Sequence, residues 1–289
     1  MVERSEYLEQ LKQWKDEQVI KVVTGIRRCG KSTLLKQYQQ WLKASGIPDA
    51  QIISVNFEEL EYEDLLDYKK LYAYIKERLV DGKPTYIFLD EIQKVPSFEK
   101  VVDSLYVKPD VDIYITGSNA YMLSGDLATL LTGRYVEIKM LPLSFCEFLS
   151  VSNMDPDKGF AEYMKTGGLP YLAVMDRTPE KVETYLEGIY NTVIVRDIED
   201  RQARREADPS KRKITDIALL KTIAKYLASV VGSPVSIRSI TDYLTSNGRK
   251  VSANTVSDYV EALAESFIFY PVERFDIVGK QLLKANKNY

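Results

Sequence analysis

Gly25-Ile26-Arg27-Arg28-Cys29-Gly30-Lys31-Ser32 is the stretch whose reading decides the fold. It matches G-x-x-x-x-G-K-[ST] at every fixed position. Its surroundings match as well. Val19 to Thr24 is short, β-branched and followed by a glycine, which predicts a buried strand. Beyond the stretch, Leu34, Leu35, Tyr38, Trp41 and Leu42 share one side of a helix predicted from Lys31 to about Ala44, with Gly46 and Pro48 ending it. A glycine-containing loop between strand and helix turns successive backbone N–H groups onto phosphate oxygens at a helix N-terminus. Gly25, Ile26, Arg27, Arg28, Cys29, Gly30, Lys31, Ser32 and the adjoining Thr33 are therefore the expected nucleotide contacts. Lys31 would reach the β- and γ-phosphates, and the Ser32 hydroxyl would ligate magnesium. Arg27 and Arg28 either add positive potential there or face solvent. Cys29 is either a thiol acidified by the helix dipole or a small loop filler.

Outward from the loop, strands alternate with helices. Strands are predicted over Gln51 to Phe57, Thr85 to Leu89, Asp112 to Thr116 and Arg134 to Lys139. Helices are predicted over Glu3 to Trp14, Tyr68 to Leu79 and Phe98 to Val107. This alternation implies a five-stranded parallel sheet covered on both faces, an α/β fold. The acidic run from Glu58 to Asp67 lacks the spacing of a calcium loop and reads as a solvated face.

Tyr86-Ile87-Phe88-Leu89-Asp90-Glu91 places two acids just after the most apolar strand. In a parallel sheet the carboxyl ends of strands face the ligand crevice. Asp90 would point toward the Ser32-bound magnesium, and Glu91 would orient or deprotonate the attacking water. The chain of 289 residues contains no histidine, so a carboxylate is the available base. The same absence excludes Ser-His-Asp and Cys-His catalysis and histidine-ligated metals. Two cysteines cannot form a four-ligand zinc site or a disulfide framework. With 45% hydrophobic and 28% charged residues, a net charge of −3, no apolar run of membrane-spanning length and an amino terminus unlike a signal peptide, the expectation is a soluble, cytoplasmic protein without a membrane partner.

The spacing of these motifs resembles that of AAA-type P-loop ATPases. More narrowly, GIRRCGKSTLL, FLDEIQ, ITGSNA and LLTGR…LPLSF are similar to a family of prokaryotic ATPases in which an AAA-type module precedes a winged-helix region and a C-terminal domain resembling restriction-type nucleases. The resemblance implies ATP and Mg2+ as cofactors and ATP hydrolysis as the activity. It makes Asp112 to Asn119 the sensor strand, with Ser118 or Asn119 contacting the γ-phosphate or the attacking water. Arg134, at the start of the fifth strand, could neutralise transition-state charge in cis or from a neighbouring subunit; Arg196 and Arg201 are rivals, and each could instead sit in a structural ion pair. No guanine-reading N-K-x-D motif is present, which favours ATP over GTP.

Three domains are expected: 1–150, the AAA-type module; 151–213, a helical connection; and 214–289, a winged-helix-like domain. The last has helices predicted over Thr215 to Val230, Ser236 to Thr245 and Ser252 to Ser266, then a strand over Phe267 to Val272. Its charge is only +2, nine basic against seven acidic side chains. Arg249 and Lys250 precede the recognition-type helix, in position for phosphates, whereas Asp258, Glu261 and Glu265 would face DNA poorly. DNA and a protein partner, including a second copy of the chain, are both open readings. Two functions follow: an ATPase coupled to a winged helix, or a nucleotide-gated switch with little turnover. The nuclease-like domain of the resembled family is not seen in this sequence. Thr166-Gly167-Gly168-Leu169-Pro170 has no lysine or strand and reads as a turn between helices.

Overall fold

The apolar runs flanking the phosphate loop form one parallel sheet in a computed structural model that describes residues 2–117, 131, 133–193, 216–272 and 287–288. Its strands are β1 (Ile20–Thr24), β2 (Ile52–Asn56), β3 (Thr85–Asp90), β4 (Val111–Gly117) and β5 (Tyr135–Lys139). Their spatial order is β2-β3-β4-β1-β5. The strand that follows the acid-bearing strand in sequence thus inserts between it and the loop-bearing β1, while β2 is displaced to the edge.

Side chains alternate between two cores, as strands covered on both faces require. Ile20, Val22, Ile87, Leu89, Ile113 and Ile115 pack with helices α3 (Tyr68–Lys76) and α4 (Phe98–Tyr106). Val23, Tyr86, Phe88 and Tyr114 pack on the other side with α1 (Ser5–Gln13) and α2 (Lys31–Ala44). There Phe88 and Tyr114 stack at 4.8 Å, and Tyr38 of α2 tilts against Tyr114 at 5.0 Å. These rings fasten α2, and with it the phosphate loop, to the middle of the sheet. The acids from Glu58 to Asp67 are exposed; Asp67 caps α3 by accepting from the Lys69 and Lys70 N–H groups.

After β5 come α5 (Phe145–Ser152), α6 (Pro156–Thr166), α7 (Pro170–Val174) and α8 (Pro179–Asn191). Ser144 and Glu147 form a capping box on α5, and Asp155 followed by Pro156 opens α6. Gly167, at φ +75°, ends α6, so the Gly-Gly stretch is a turn between helices.

The chain divides into two compact units, 1–184 and 185–289, with α8 running across the division. The second unit holds α9 (Ile217–Ser229), β6 (Pro234–Val235), α10 (Ile237–Ser246), α11 (Ala253–Glu265) and β7 (Lys287–Asn288). Asp216, Ser236 and Ser252 cap the three helices. Leu220, Ile223, Leu227, Ile240, Leu244, Val256 and Leu263 form their shared core. β6 pairs antiparallel with β7, Val235 opposite Lys287.

The strand expected over Phe267 to Val272 does not form over its length; only Val272, at its end, is in a β-bridge. Phe267 adopts φ +60°, its N–H donates to the Ala264 carbonyl at 3.0 Å, and the Ile268 N–H donates to the Leu263 carbonyl at 3.3 Å. This is the exit turn of α11. Ile268 and Phe269 pack against the three-helix core, while Tyr270 and Val272 are exposed. Among the described residues, no helix is long and apolar enough to cross a membrane.

Candidate nucleotide site

The loop leaves β1 through a point where only glycine fits. Gly25 has φ +148°, and a Cβ there would lie 2.2 Å from the Met140 carbonyl oxygen. Gly30, at φ +106°, then opens α2. No side chain caps that helix end and its first turn carries no acid, so its amides and dipole face outward uncompensated, the electrostatic condition for binding an anion. Ser32 and Thr33 lie in this first turn, both partly exposed.

Lys31 is buried and folds back on its own loop, donating to the Gly25 carbonyl at 3.0 Å and the Ile26 carbonyl at 3.3 Å. The outer side of the loop is held by Arg4. Its guanidinium donates to the Cys29 carbonyl at 3.1 Å, to the Leu141 carbonyl at 2.7 Å and to Glu147 Oε1 at 2.8 Å. The turn ahead of α7 closes in from another direction. The Leu143 N–H donates to the Gly168 carbonyl at 2.6 Å, and Pro170 comes within 3.8 Å of where a Gly30 Cβ would be.

The second half of the site comes from β3 and β4. Thr116 of β4, which pairs with Val23 of β1, donates its hydroxyl to Asp90 Oδ1 and accepts from the Glu91 N–H at 3.0 Å. Glu91 adopts a left-handed backbone, φ 55° and ψ 43°, uncommon for a non-glycine residue and concentrated at functional turns. Its Oε1 lies 4.0 Å from Lys31 Nζ, and its Oε2 accepts from Gln93 Nε2 at 2.5 Å. Lys31, Thr116, Asp90 and Glu91 therefore converge at the carboxyl ends of three adjacent strands, β1, β4 and β3.

Burial pushes the Cys29 thiol above its ordinary value despite Lys31 and Arg4 nearby, so the loop-filler reading is the one its surroundings favour. Burial likewise raises the Glu137 carboxyl, which accepts from the Thr24 hydroxyl at 2.7 Å just before the loop. Arg27 approaches Glu58 at 3.9 Å, and Arg28 is exposed at φ +66°.

Arg134 is not brought to this site within the chain. Tyr135 is paired with Ile20 and Lys139 with Thr24, so Arg134 lies at the amino end of the sheet, opposite the loop. There it faces Asp103 at 3.9 Å and stacks over Tyr106. Ser118, Asn119, Arg196 and Arg201 lie outside the described residues. Three participants carried no assignment from the sequence: Arg4, Thr116 and Gln93. Gln93 stands inside FLDEIQ and Thr116 inside the sensor strand, so motif proximity was a usable signal for both. Arg4 had none, because its partners lie far away along the chain.

An uncharacterized protein of Haemophilus influenzae is 42% identical over 295 residues, covering 100% of this chain and 71% of that protein. Residues 17–149 match the family described as AAA domain. The chain therefore belongs to one family with the Haemophilus influenzae protein and carries an AAA domain over residues 17–149. An uncharacterized protein of Methanocaldococcus jannaschii is 29% identical over 283 residues, covering 91% of this chain and 58% of its own length. The chain thus spans 71% and 58% of these two relatives. Downstream of the AAA domain, residues 157–289 match a domain of unknown function. Among solved structures, a Walker-type ATPase of Pyrococcus abyssi superposes with a TM-score of 0.57 at 17% identity, over 95% of this chain and 91% of that one. It shares the P-loop α/β fold of the AAA domain.

Proposed function

We propose that this AAA-domain protein binds ATP on the loop after β1 and hydrolyses it. The observation that carries the reading is the meeting of Lys31, Asp90 and Glu91, with Thr116 between the two strands that supply them. Gly25 to Thr33 would wrap the phosphates, and Lys31 would leave its two loop carbonyls for the β- and γ-phosphates. Ser32 and Asp90 would hold Mg2+; a hydroxyl and a carboxylate are the hard oxygen donors that ion takes beside water and phosphate. The bound ion would neutralise charge on the phosphates. Glu91 would take a proton from the attacking water. Ser118 or Asn119 would sense the γ-phosphate. An arginine finger at Arg134 would have to reach a neighbouring copy, whereas Arg196 and Arg201 are rivals for the role.

The test is magnesium-dependent ATP turnover and ATP binding by the wild type, Lys31→Ala and Glu91→Gln. Lys31→Ala is expected to lose binding, while Glu91→Gln keeps it and slows turnover by about 100-fold or more. Absence of ATP binding by the wild type overturns the reading. Tight binding without turnover would instead favour the nucleotide-gated switch.

The same reading makes residues 214–289 a winged helix coupled to nucleotide state. Support comes from the order α9, β6, α10, α11 and from the β6–β7 pairing, the short antiparallel element such a domain carries. Arg249 is engaged by Asp216, the cap of α9, which leaves exposed Lys250 as the better phosphate contact ahead of α11. Duplex DNA stimulating turnover in the wild type but less in Lys250→Ala would support DNA as the partner. No effect of DNA would favour a protein partner or self-assembly, read by sizing the protein with and without ATP.

A further inference from the structure

Gln93 has no part in the reaction above, yet its amide is buried against the carboxylate on which that reaction depends. The two oxygens of Glu91 have different neighbours. Oε2 accepts from Gln93 Nε2 at 2.5 Å, and Oε1 faces Lys31 Nζ at 4.0 Å. The first is a hydrogen bond; the second is too long to be one and acts through charge alone. The neighbours also differ in freedom. Gln93 stands in a 3-10 turn, Ile92–Lys94, whose backbone is fixed by the Lys94 N–H on the Glu91 carbonyl at 3.1 Å and the Val95 N–H on the Ile92 carbonyl at 2.9 Å. Glu91 is pinned in the same turn by its N–H on Thr116. Lys31 belongs to a separate element, α2, and its hydrogen bonds go to two neutral carbonyls.

A polyphosphate entering the loop outcompetes those carbonyls for the ammonium group. Lys31 then leaves Oε1, while the neutral, rooted amide of Gln93 has no reason to follow. We propose that Gln93 is a positioning residue: it holds Glu91 by Oε2, so that the carboxylate keeps its place as the base when Lys31 turns to the phosphates. This rests on the reading of Glu91 as the base. In the step, the water oxygen bonds to the γ-phosphorus and the water proton goes to the Glu91 carboxylate. The bridging bond to the β-phosphate breaks, its electron pair leaving with ADP. A neutral donor suits the task. A cation in its place would weaken the base, and an ionised acid would repel it.

The experiment measures kcat, KM, equilibrium ATP affinity and thermal midpoint for Gln93→Met and Gln93→Glu, with Glu91→Gln as reference. Gln93→Met keeps the volume and removes the donor. It is expected to lower kcat roughly 10- to 100-fold, part of what general-base catalysis contributes, with ATP affinity within about threefold of wild type. Gln93→Glu introduces a carboxyl that donates to Glu91 only while protonated, with Glu91 and, beyond it, Lys31 as the charged groups it faces. Its turnover relative to wild type should fall as pH rises, the opposite of what protonating a base produces. Wild-type kcat in Gln93→Met overturns the proposal, as does a kcat loss matched by an equal loss of ATP affinity. A Gln93→Glu pH profile parallel to wild type also overturns it, and stands as the test if the methionine variant misfolds. Glu91→Gln turning over like wild type removes the base itself and the positioning role with it. Glu91→Gln inactive beside a fully active Gln93→Met removes only the role of Gln93.

Discussion

Among the described residues, two lysines are buried, both in the sheet unit and each facing a carboxylate, and they could hardly be kept more differently. Toward the amino end of the sheet, Lys21 donates to Asp112 Oδ1 at 2.5 Å and to the Glu17 carbonyl at 2.7 Å. The other oxygen of Asp112 accepts from the Asp16 N–H at 3.0 Å and the Tyr114 hydroxyl at 2.8 Å, and that hydroxyl shares a further bond with Tyr38. At the carboxyl end, Lys31 rests on two carbonyls and stops 4.0 Å short of Glu91. One pair is closed and the other is held open. Burying matched charges fixes a structure; burying a cation on neutral acceptors keeps it available for an incoming anion.

Lys21→Met should therefore carry the largest cost to stability, about 3–5 kcal/mol at neutral pH, because it leaves Asp112 buried without its cation. Burial already raises the Asp112 carboxyl and lowers the Lys21 ammonium, each against the pull of the other. A raised carboxyl contributes stability below its unfolded value, and that contribution is lost as pH rises through the folded one. The deficit of Lys21→Met should accordingly be smaller at pH 5 than at pH 8 in urea denaturation. Lys31→Met should cost about 1 kcal/mol and abolish nucleotide binding. Equal stability losses in the two variants would erase the contrast.

Arg4→Ala comes next, at about 2–3 kcal/mol, since it removes charge-assisted bonds to three elements and leaves Glu147 without its guanidinium. Because Arg4 braces the Cys29 carbonyl, ATP affinity should fall with the thermal midpoint. A stability loss with unchanged affinity would mean the open end does not need this brace. Gly168→Ala sets a Cβ 2.3 Å from the Leu143 carbonyl and should cost about 1–3 kcal/mol. Calorimetry would show it, together with weaker ATP binding if the turn supports the loop. The smallest effect has the opposite sign. Burial holds the Glu137 carboxyl above its ordinary value of 4.5, so its ionisation penalises folding as pH rises through the raised value. Glu137→Gln keeps an acceptor for Thr24 and should raise the thermal midpoint slightly at pH 8 and not at pH 4.

Most elements of the sheet unit were legible from the sequence because their signals are local. α2 runs from Lys31 to Ala44 as its apolar spacing predicts, and β3 ends on Asp90 beside Glu91. Legibility failed where an apolar run had two ways to be buried. Phe267 to Val272 has strand composition, but the left-handed turn at Phe267 folds Ile268 and Phe269 onto the helices and leaves Tyr270 and Val272 exposed. At Arg134 the sequence left open a role in cis, a role from a neighbouring subunit and an ion pair. Its carbonyl receives the Ile20 N–H at 2.9 Å, at the far end of β1. Arg4, placed by the sequence only within the helix predicted over Glu3 to Trp14, became a brace because the chain returns to it at Leu141 and Glu147.

By itself the sequence determined the glycine-bounded loop between strand and helix, the acid pair after an apolar strand and the absence of any histidine to compete with those acids. The first two are matters of neighbours along the chain, where backbone geometry over a few residues settles the outcome. Only the tertiary structure decided that β4 lies between β1 and β3, that Thr116 bridges Asp90 and Glu91, and that Lys31 stands poised while Lys21 is locked. Those facts depend on strand order and register. They join residues separated by tens of positions, and only the packed sheet brings such residues within hydrogen-bonding distance.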